Sequence, residues 1–150
     1  MQPLMKLRLR NMKPEARLDY LAGLIFVSEL HQPASKDLLN AFKREAKKST
    51  VRELAKRADS MEKLRKLPLV IRKLEAKPAE VASGLNQARF DYTKVAEQMF
   101  LSGMDHKDIA EGLKHMGCNP MHVTIALYKT GFPEKRINEA LDHFTRLKKR

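Results

Sequence analysis

Residues 35–58 read SKDLLNAFKREAKKSTVRELAKRA, and apolar side chains recur in them every three or four positions. Leu38, Leu39 and Phe42 fall within one arc of a helix, while lysines and arginines occupy the opposite arc. After Ser49 the pattern begins again, with apolar side chains on one arc of the helix and basic side chains on the other. The stretch therefore predicts two successive amphipathic helices that turn a dry face inward and a basic face outward.

Helix start signals support this division of the chain. Ser35 is a good N-cap for the first of the two helices, and Thr50 with Glu53 three residues later fits a capping box for the second. In the second half of the chain, Asp105 is a predicted cap. Asn119 followed by proline is a further strong start signal. Each predicted helix is short because such signals recur at close intervals.

Helical periodicity continues through the rest of the chain, and no segment has a convincing strand pattern. Residues 64–74 carry apolar side chains at helical spacing but contain Pro68 in the middle. A proline inside a helix costs about 3 kcal/mol or more, so we expect a kink or break near Leu67. The predicted fold is all-α, a compact bundle of about seven to nine short helices.

The chain divides by charge. Residues 1–77 hold 19 of the 30 Lys and Arg and 9 of the 18 Asp and Glu. Within residues 1–13, the run from Lys6 to Arg10 alternates basic and apolar side chains with no partner strand, which predicts a flexible basic arm over 1–13. The boundary at Lys77-Pro78 then separates a basic helical subdomain, 14–77, from a near-neutral one, 78–150. The two subdomains can share one core.

An internal repeat occurs in the second half. Residues 103–115 and 131–143 share six of thirteen positions, and each unit is a glycine stop followed by a restarted helix. Two copies are too few for a solenoid, which needs three or more. Two interpretations stay open. The units are a duplicated helical hairpin, or they are two unrelated helices that share the common pattern of a glycine stop, a cap and an amphipathic helix.

Residues 95–127 predict a three-helix unit with helix-turn-helix-like packing, because a short turn, Gly117-Cys118-Asn119, separates two apolar helix faces. The second helix has no arginine that could bind a guanine edge. The layout of Gly-Met, Ile, Leu, Gly-x-Asn, Val and Ala-Leu resembles small three-helix protein-binding modules of the ubiquitin-associated type. That resemblance implies a protein partner. Base reading, protein binding and simple packing remain open.

Catalytic and metal chemistry find little support in the sequence. His115, Cys118 and His122 have a spacing that zinc could accept, with His106 or His143 as a fourth ligand. Structural zinc sites normally use two or more thiolates, however, and the chain has one cysteine. The six glycines are isolated, so they form no phosphate-binding loop. We expect no metal, no cofactor and no enzymatic activity.

The strongest functional signal is the basic stretch. Residues 43–77 hold thirteen Lys and Arg against five Asp and Glu, within a chain of net charge +12. A folded domain does not need such a surface for stability, whereas DNA or RNA would bind it by counterion release. We expect phosphate contacts from one continuous basic face. Its predicted members are Lys43, Arg44, Lys47, Lys48, Arg52, Lys56, Arg57, Arg65, Lys66, Arg72 and Lys73.

The alternative function is a protein–protein adaptor whose basic surface docks on an acidic partner. The C-terminal half is expected to supply a partner-binding or homodimerising module. The longest strongly apolar run, residues 20–27, is far shorter than the roughly 20 residues that span a bilayer, so no membrane role is expected. One cysteine and the lack of a secretory signal pattern predict a cytoplasmic protein.

Overall fold

The computed structural model describes residues 3–30, 32–47 and 49–147; Lys48, one of the predicted phosphate contacts, lies outside these ranges. The described residues form ten helices and no strand. The all-α prediction is thus confirmed for these ranges, while the helix number exceeds the predicted seven to nine. The helices are α1 Pro3–Arg10, α2 Pro14–Val27, α3 Pro33–Ala46, α4 Thr50–Lys56, α5 Met61–Leu74, α6 Pro78–Gln87, α7 Tyr92–Leu101, α8 His106–His115, α9 Pro120–Thr130 and α10 Glu134–Arg146.

Helix α1 lies where the sequence predicts an arm without a packing partner. Leu9 is half-buried against the core, and the Arg8 guanidinium lies 6.0 Å from the ring centroid of Tyr20 on α2. The Arg17 side chain donates a 3.0 Å hydrogen bond to the carbonyl of Met12. These contacts pack α1 and the turn that follows it against α2, and none of them follows from the alternating pattern.

Helix α5 is continuous through Pro68, so of the predicted kink or break near Leu67, the break into two short helices is wrong. Proline removes one backbone hydrogen bond at about 3 kcal/mol. Leu67, Val70 and Ile71 on the same helix are almost completely buried. Each such side chain contributes about 1.5–3 kcal/mol when it leaves water, so their burial outweighs the proline penalty.

The helix caps match the predictions in the second half of the chain and differ in the first. Asp105 and Asn119 each accept a hydrogen bond from the backbone three residues on, in capping boxes that begin α8 and α9. Ser35 instead lies inside α3, and its hydroxyl oxygen lies 2.8 Å from the Leu30 carbonyl oxygen and 2.7 Å from that of Gln32, so its one proton is donated backwards along the chain. The predicted Thr50 capping box is also wrong, because the Glu53 side chain binds Arg57.

A single hydrophobic core extends across the Lys77-Pro78 boundary. Helix α6 lies at its centre and packs against both α4 and α8. Two glycines permit these close crossings. A Cβ atom on Gly84 would lie 2.7 Å from the Cβ of Val51 on α4, and one on Gly112 would lie 2.9 Å from the Cβ of Ala82. The predicted subdomains 14–77 and 78–150 therefore contribute helices to one core.

The two repeat units pack against each other through α8 and α10. Two His–Glu pairs link these helices: His106 lies 3.5 Å from Glu139, and His143 lies 3.4 Å from Glu111. The Lys114 ammonium donates to the carbonyls of the last turn of α10 at 2.6 and 2.9 Å. Glu111 and Glu139 occupy the same position in the two repeat units. Each therefore lies beside a histidine of the other unit's helix.

Candidate nucleic-acid interface

Four of the chain's cations line one groove, which we call the phosphate groove. Lys43 and Lys47 come from the end of α3, Arg52 from α4 and Lys77 from the start of α6. The groove has a volume of about 990 Å³ and includes the hydroxyl-bearing residues 49 and 50 in its wall. The arrangement brings together cations that lie up to 34 residues apart in the sequence.

The local folding of α3 and α4 explains the groove's cationic wall. Lys43 lies in the last turn of α3, and Lys47 is the residue that ends the helix, with φ at 58°. Arg52 is oriented by the Glu53 carboxylate at 3.1 Å and by the Gln87 side-chain oxygen at 3.4 Å. Gln87 belongs to α6, so the close α4–α6 packing holds Arg52 in place.

The groove also contains two carboxylates, Glu75 and Glu80. Glu75 ends α5 in the left-handed conformation, with φ at 53°. Glu75 and Glu80 are both exposed to solvent. Within the described ranges, Lys43, Lys47 and Lys77 form no ion pair with either carboxylate, so their ammonium groups stay open to a ligand.

A second cluster of cations surrounds a different cavity, which we call the α5–α7 cleft. Lys56, Arg65, Arg89 and Lys94 line this cleft together with one acidic residue, Glu97. Its volume is about 670 Å³. The cleft differs from the phosphate groove because its remaining lining is largely apolar: Ala55, Ala58, Met61, Leu64, Ala88, Phe90 and Leu101, besides Gln98.

A third cluster lies between α1, α2 and α3. Arg44 lines a cavity of about 380 Å³ there with the basic residues Lys6, Arg10 and Arg17. The carboxylate of Glu45 lies 3.3 Å from Arg17. Arg44 and its sequence neighbour Lys43 line different cavities, because consecutive residues on a helix point about 100° apart.

Arg57 does not present its charge to solvent as predicted. Its guanidinium is nearly buried and contacts Glu15 at 2.6 Å, Asp19 at 2.7 Å and Glu53 at 2.9 Å. Burial works against the charged form, yet the hydrogen bonds that Arg57 donates to Glu53 and Asp19 outweigh it and raise the pKa of Arg57. Arg57 therefore acts as an internal clamp between α2 and α4.

Glu53 is the buried partner in this clamp. Burial favours its neutral form, but the Arg57 hydrogen bond, with the charges of Lys56 and Arg52, outweighs burial and lowers the pKa of Glu53 below its ordinary 4.5. The capping-box pattern gave no sign of this role. A glutamate between three cations on α4 was the available signal, because Arg52, Lys56 and Arg57 all lie within four residues of it.

The lowered pKa of Glu53 makes stability depend on pH. Its ion pairs stabilise the fold fully above pH 4.5, and this contribution disappears as the pH falls through the lower pKa of the folded state. Urea unfolding between pH 7 and pH 3 should show a steeper loss of unfolding free energy for the parent than for Glu53→Gln. The same substitution at exposed Glu134, which forms no ion pair with a described residue, should leave the parent profile intact.

Three further predicted phosphate contacts have their own environments. The Lys66 ammonium donates a 2.7 Å hydrogen bond to the carbonyl of Ser28 and so caps the end of α2. Arg72 lies along Gly103, in the α7–α8 connection. Lys73 is exposed near the end of α5. The described cations therefore do not share one cavity: Lys43, Lys47 and Arg52 line the phosphate groove, Lys56 and Arg65 the α5–α7 cleft, and Arg44 the third cavity.

Sequence reasoning did not select Lys77, Arg89 or Lys94, although each lines one of the two larger cavities. Lys77 is the last residue of the predicted basic subdomain, at its boundary with the near-neutral one. Arg89 and Lys94 lie in the half of the chain with little net charge. Only the packing of α6 and α7 against α4 and α5 places these cations beside the basic stretch.

The predicted zinc-like spacing does not produce a metal site. Among the described residues, no three His, Cys, Asp or Glu side chains are grouped so as to hold a metal ion. Burial raises the pKa of the half-buried Cys118 thiol, which is the opposite of the activation that a nucleophilic thiol needs. His122 stacks near Tyr92, with ring centroids 4.8 Å apart.

The chain matches no known family model, no curated protein and no solved structure. No helix in the described ranges is long and apolar enough to cross a membrane.

Proposed function

We propose that the protein is a non-enzymatic nucleic-acid-binding protein that contacts the phosphates of DNA or RNA in the phosphate groove. The observation that carries the proposal is the convergence of Lys43, Lys47, Arg52 and Lys77 on one groove, three of them without an internal ion pair among the described residues. Each phosphate that such a cation neutralises releases counterions and adds affinity.

The net charge of the whole chain supports the same proposal. At +12, the protein attracts a polyanion at long range and accelerates encounter at low salt. Arg44, Arg72 and Lys73 lie exposed outside the groove and add to this field. Arg57 and Lys66 are excluded from the proposed contact set, because their charged groups bind inside the protein.

The proposal does not extend to base reading by α9. A recognition helix specifies bases through donors such as arginine, asparagine or glutamine, and the α9 sequence PMHVTIALYKT contains none of them. Its exposed side includes Met121 and Tyr128. Binding through the groove is therefore expected to discriminate little between base sequences.

The double variant Lys43→Gln/Lys47→Gln should bind oligonucleotides about tenfold more weakly than the parent at about 0.1 M salt. The loss should be similar for every base sequence, because the contacts are to phosphates. Fluorescence anisotropy with labelled DNA and RNA of mixed sequence measures it. Lys129→Gln/Lys135→Gln is the matched control, since it removes the same charge from exposed positions on α9 and α10.

Equal weakening in the groove variant and in the control would show that overall charge, not the groove, drives binding. Full retention of affinity in the groove variant would remove Lys43 and Lys47 from the interface. The adaptor alternative predicts a different result: a protein captured from extract would survive nuclease treatment but would be lost in Lys43→Gln/Lys47→Gln, because the groove itself would bind it.

A further inference from the structure

The α5–α7 cleft has a composition that phosphate binding does not explain. Its volume of about 670 Å³ lies within the roughly 300–1,000 Å³ typical of ligand pockets. Seven of its thirteen lining residues are apolar. A sugar-phosphate backbone has no apolar surface to bury against this lining, so the cleft suits a ligand with an apolar side.

Apolar side chains remain exposed along the two helices that form the cleft. Met61 at the start of α5 is 72% exposed, and Leu101 at the end of α7 is 51% exposed. Leu69 continues the outer face of α5 two turns beyond Met61 and is 49% exposed. Met61 and Leu101 both belong to the cleft lining, and they leave an apolar strip there that no described part of the chain covers.

Cations flank this strip on both sides. Arg65 and Arg72 alternate with Met61 and Leu69 on the outer face of α5, at spacings of three or four residues. Arg89, Lys94 and Lys56 stand around the cleft itself. Arg65, Arg89 and Lys94 form no ion pair with a described residue, and Glu97 is the one carboxylate in the lining.

Charge complementarity selects the occupant. A second copy of this chain would bring a net charge of +12 to a cleft that already carries four cations against one carboxylate. Repulsion therefore disfavours self-association there. An acidic segment with apolar anchors would satisfy both features, because its anchors would cover the strip while its carboxylates would face the cations.

We propose that the α5–α7 cleft docks an acidic amphipathic helix of a partner protein. The groove between two helices suits this mode of recognition, in which apolar anchors at positions i, i+3 or i+4 and i+7 enter the groove. Met61, Leu64 and Leu101 would contact the anchors. Arg65, Arg89 and Lys94 would pair with flanking carboxylates. The inference is independent of the phosphate groove, which shares no lining residue with this cleft.

Selection of a random 16-residue peptide display library on the full-length chain tests the proposal. Enriched peptides should combine apolar residues at helical spacing with several Asp or Glu. Synthetic copies should bind in a fluorescence anisotropy assay and lose about tenfold or more in affinity for Leu101→Ser and for Lys94→Glu. Both positions are exposed, so both variants are expected to fold, which circular dichroism verifies.

Lys43→Gln/Lys47→Gln is the matched control and should bind the peptides as the parent does. Enrichment of peptides without acidic residues, or no enrichment at all, would overturn the proposal. Peptide binding that ignores Leu101→Ser and Lys94→Glu would overturn it too. If Lys94→Glu weakens oligonucleotide binding as strongly as the groove variant does, the cleft belongs to the nucleic-acid surface instead, and the peptide proposal fails while the proposed function stands.

Discussion

Gly84→Ala is expected to lower the free energy of unfolding by about 2–3 kcal/mol, because the added methyl group has no room between α6 and α4. An ideal Cβ there lies 2.7 Å from the Val51 Cβ and 2.9 Å from the backbone nitrogen of Arg52. Neither atom can yield without moving α4. Urea denaturation monitored by circular dichroism measures the loss.

Gly23→Ala on α2 is the matched control. A Cβ at Gly23 meets nothing within 4 Å, and alanine favours a helix over glycine by roughly 0.5–1 kcal/mol. The two identical substitutions should therefore change stability in opposite directions. If both stabilise the protein, the close α4–α6 crossing is incorrect. Gly84→Ala should also weaken oligonucleotide binding, since displacement of α4 moves Arg52 away from Gln87.

Arg57→Met is expected to destabilise the fold by about 2–3 kcal/mol, because it leaves the nearly buried Glu53 carboxylate without its strongest partner. Arg52 and Lys56 remain near Glu53, which keeps the loss below that of a fully unpaired buried charge. The contacts of Arg57 with Glu15 and Asp19 on α2 disappear as well. Thermal and urea unfolding report the change.

Arg44→Met provides the comparison for Arg57→Met. Arg44 is exposed and forms no ion pair within the described ranges, so its substitution should change stability by no more than about 0.5 kcal/mol. Equal effects of the two substitutions would contradict the clamp. The two variants should also differ in oligonucleotide affinity. Arg57→Met should lower it less than Arg44→Met, because phosphates do not reach the charge of Arg57.

Local signals in the sequence predicted the helices well where they govern the structure. The caps at Asp105 and Asn119 and the left-handed glycines 103 and 131 depend on residues within one turn, so their patterns sufficed. Pro68 was misjudged because its penalty is local while the burial of Leu67 and Ile71 that outweighs it is tertiary. Helix α1 was missed for the same reason, since its contacts lie on α2.

The candidate sites were less predictable because they depend on how helices cross. Charge counting found the basic stretch, and six of its members line the two larger cavities: Lys43, Lys47, Arg52 and Lys77 line the phosphate groove, and Lys56 and Arg65 line the α5–α7 cleft. Only one of these six, Lys77, lies outside the predicted contact set. The pattern of residues 50–58 could not show that Arg57 turns inward, because its acidic partners Glu15 and Asp19 lie about forty positions away.

The most direct test of phosphate binding in the groove is the salt dependence of oligonucleotide affinity. A plot of log K against log salt between about 50 and 200 mM should be linear for the parent, with a slope proportional to the number of neutralised phosphates. The slope should become shallower by about two for Lys43→Gln/Lys47→Gln and stay unchanged for Lys129→Gln/Lys135→Gln. Absence of binding at 50 mM salt, or identical slopes for the parent and the groove variant, would contradict the proposed function.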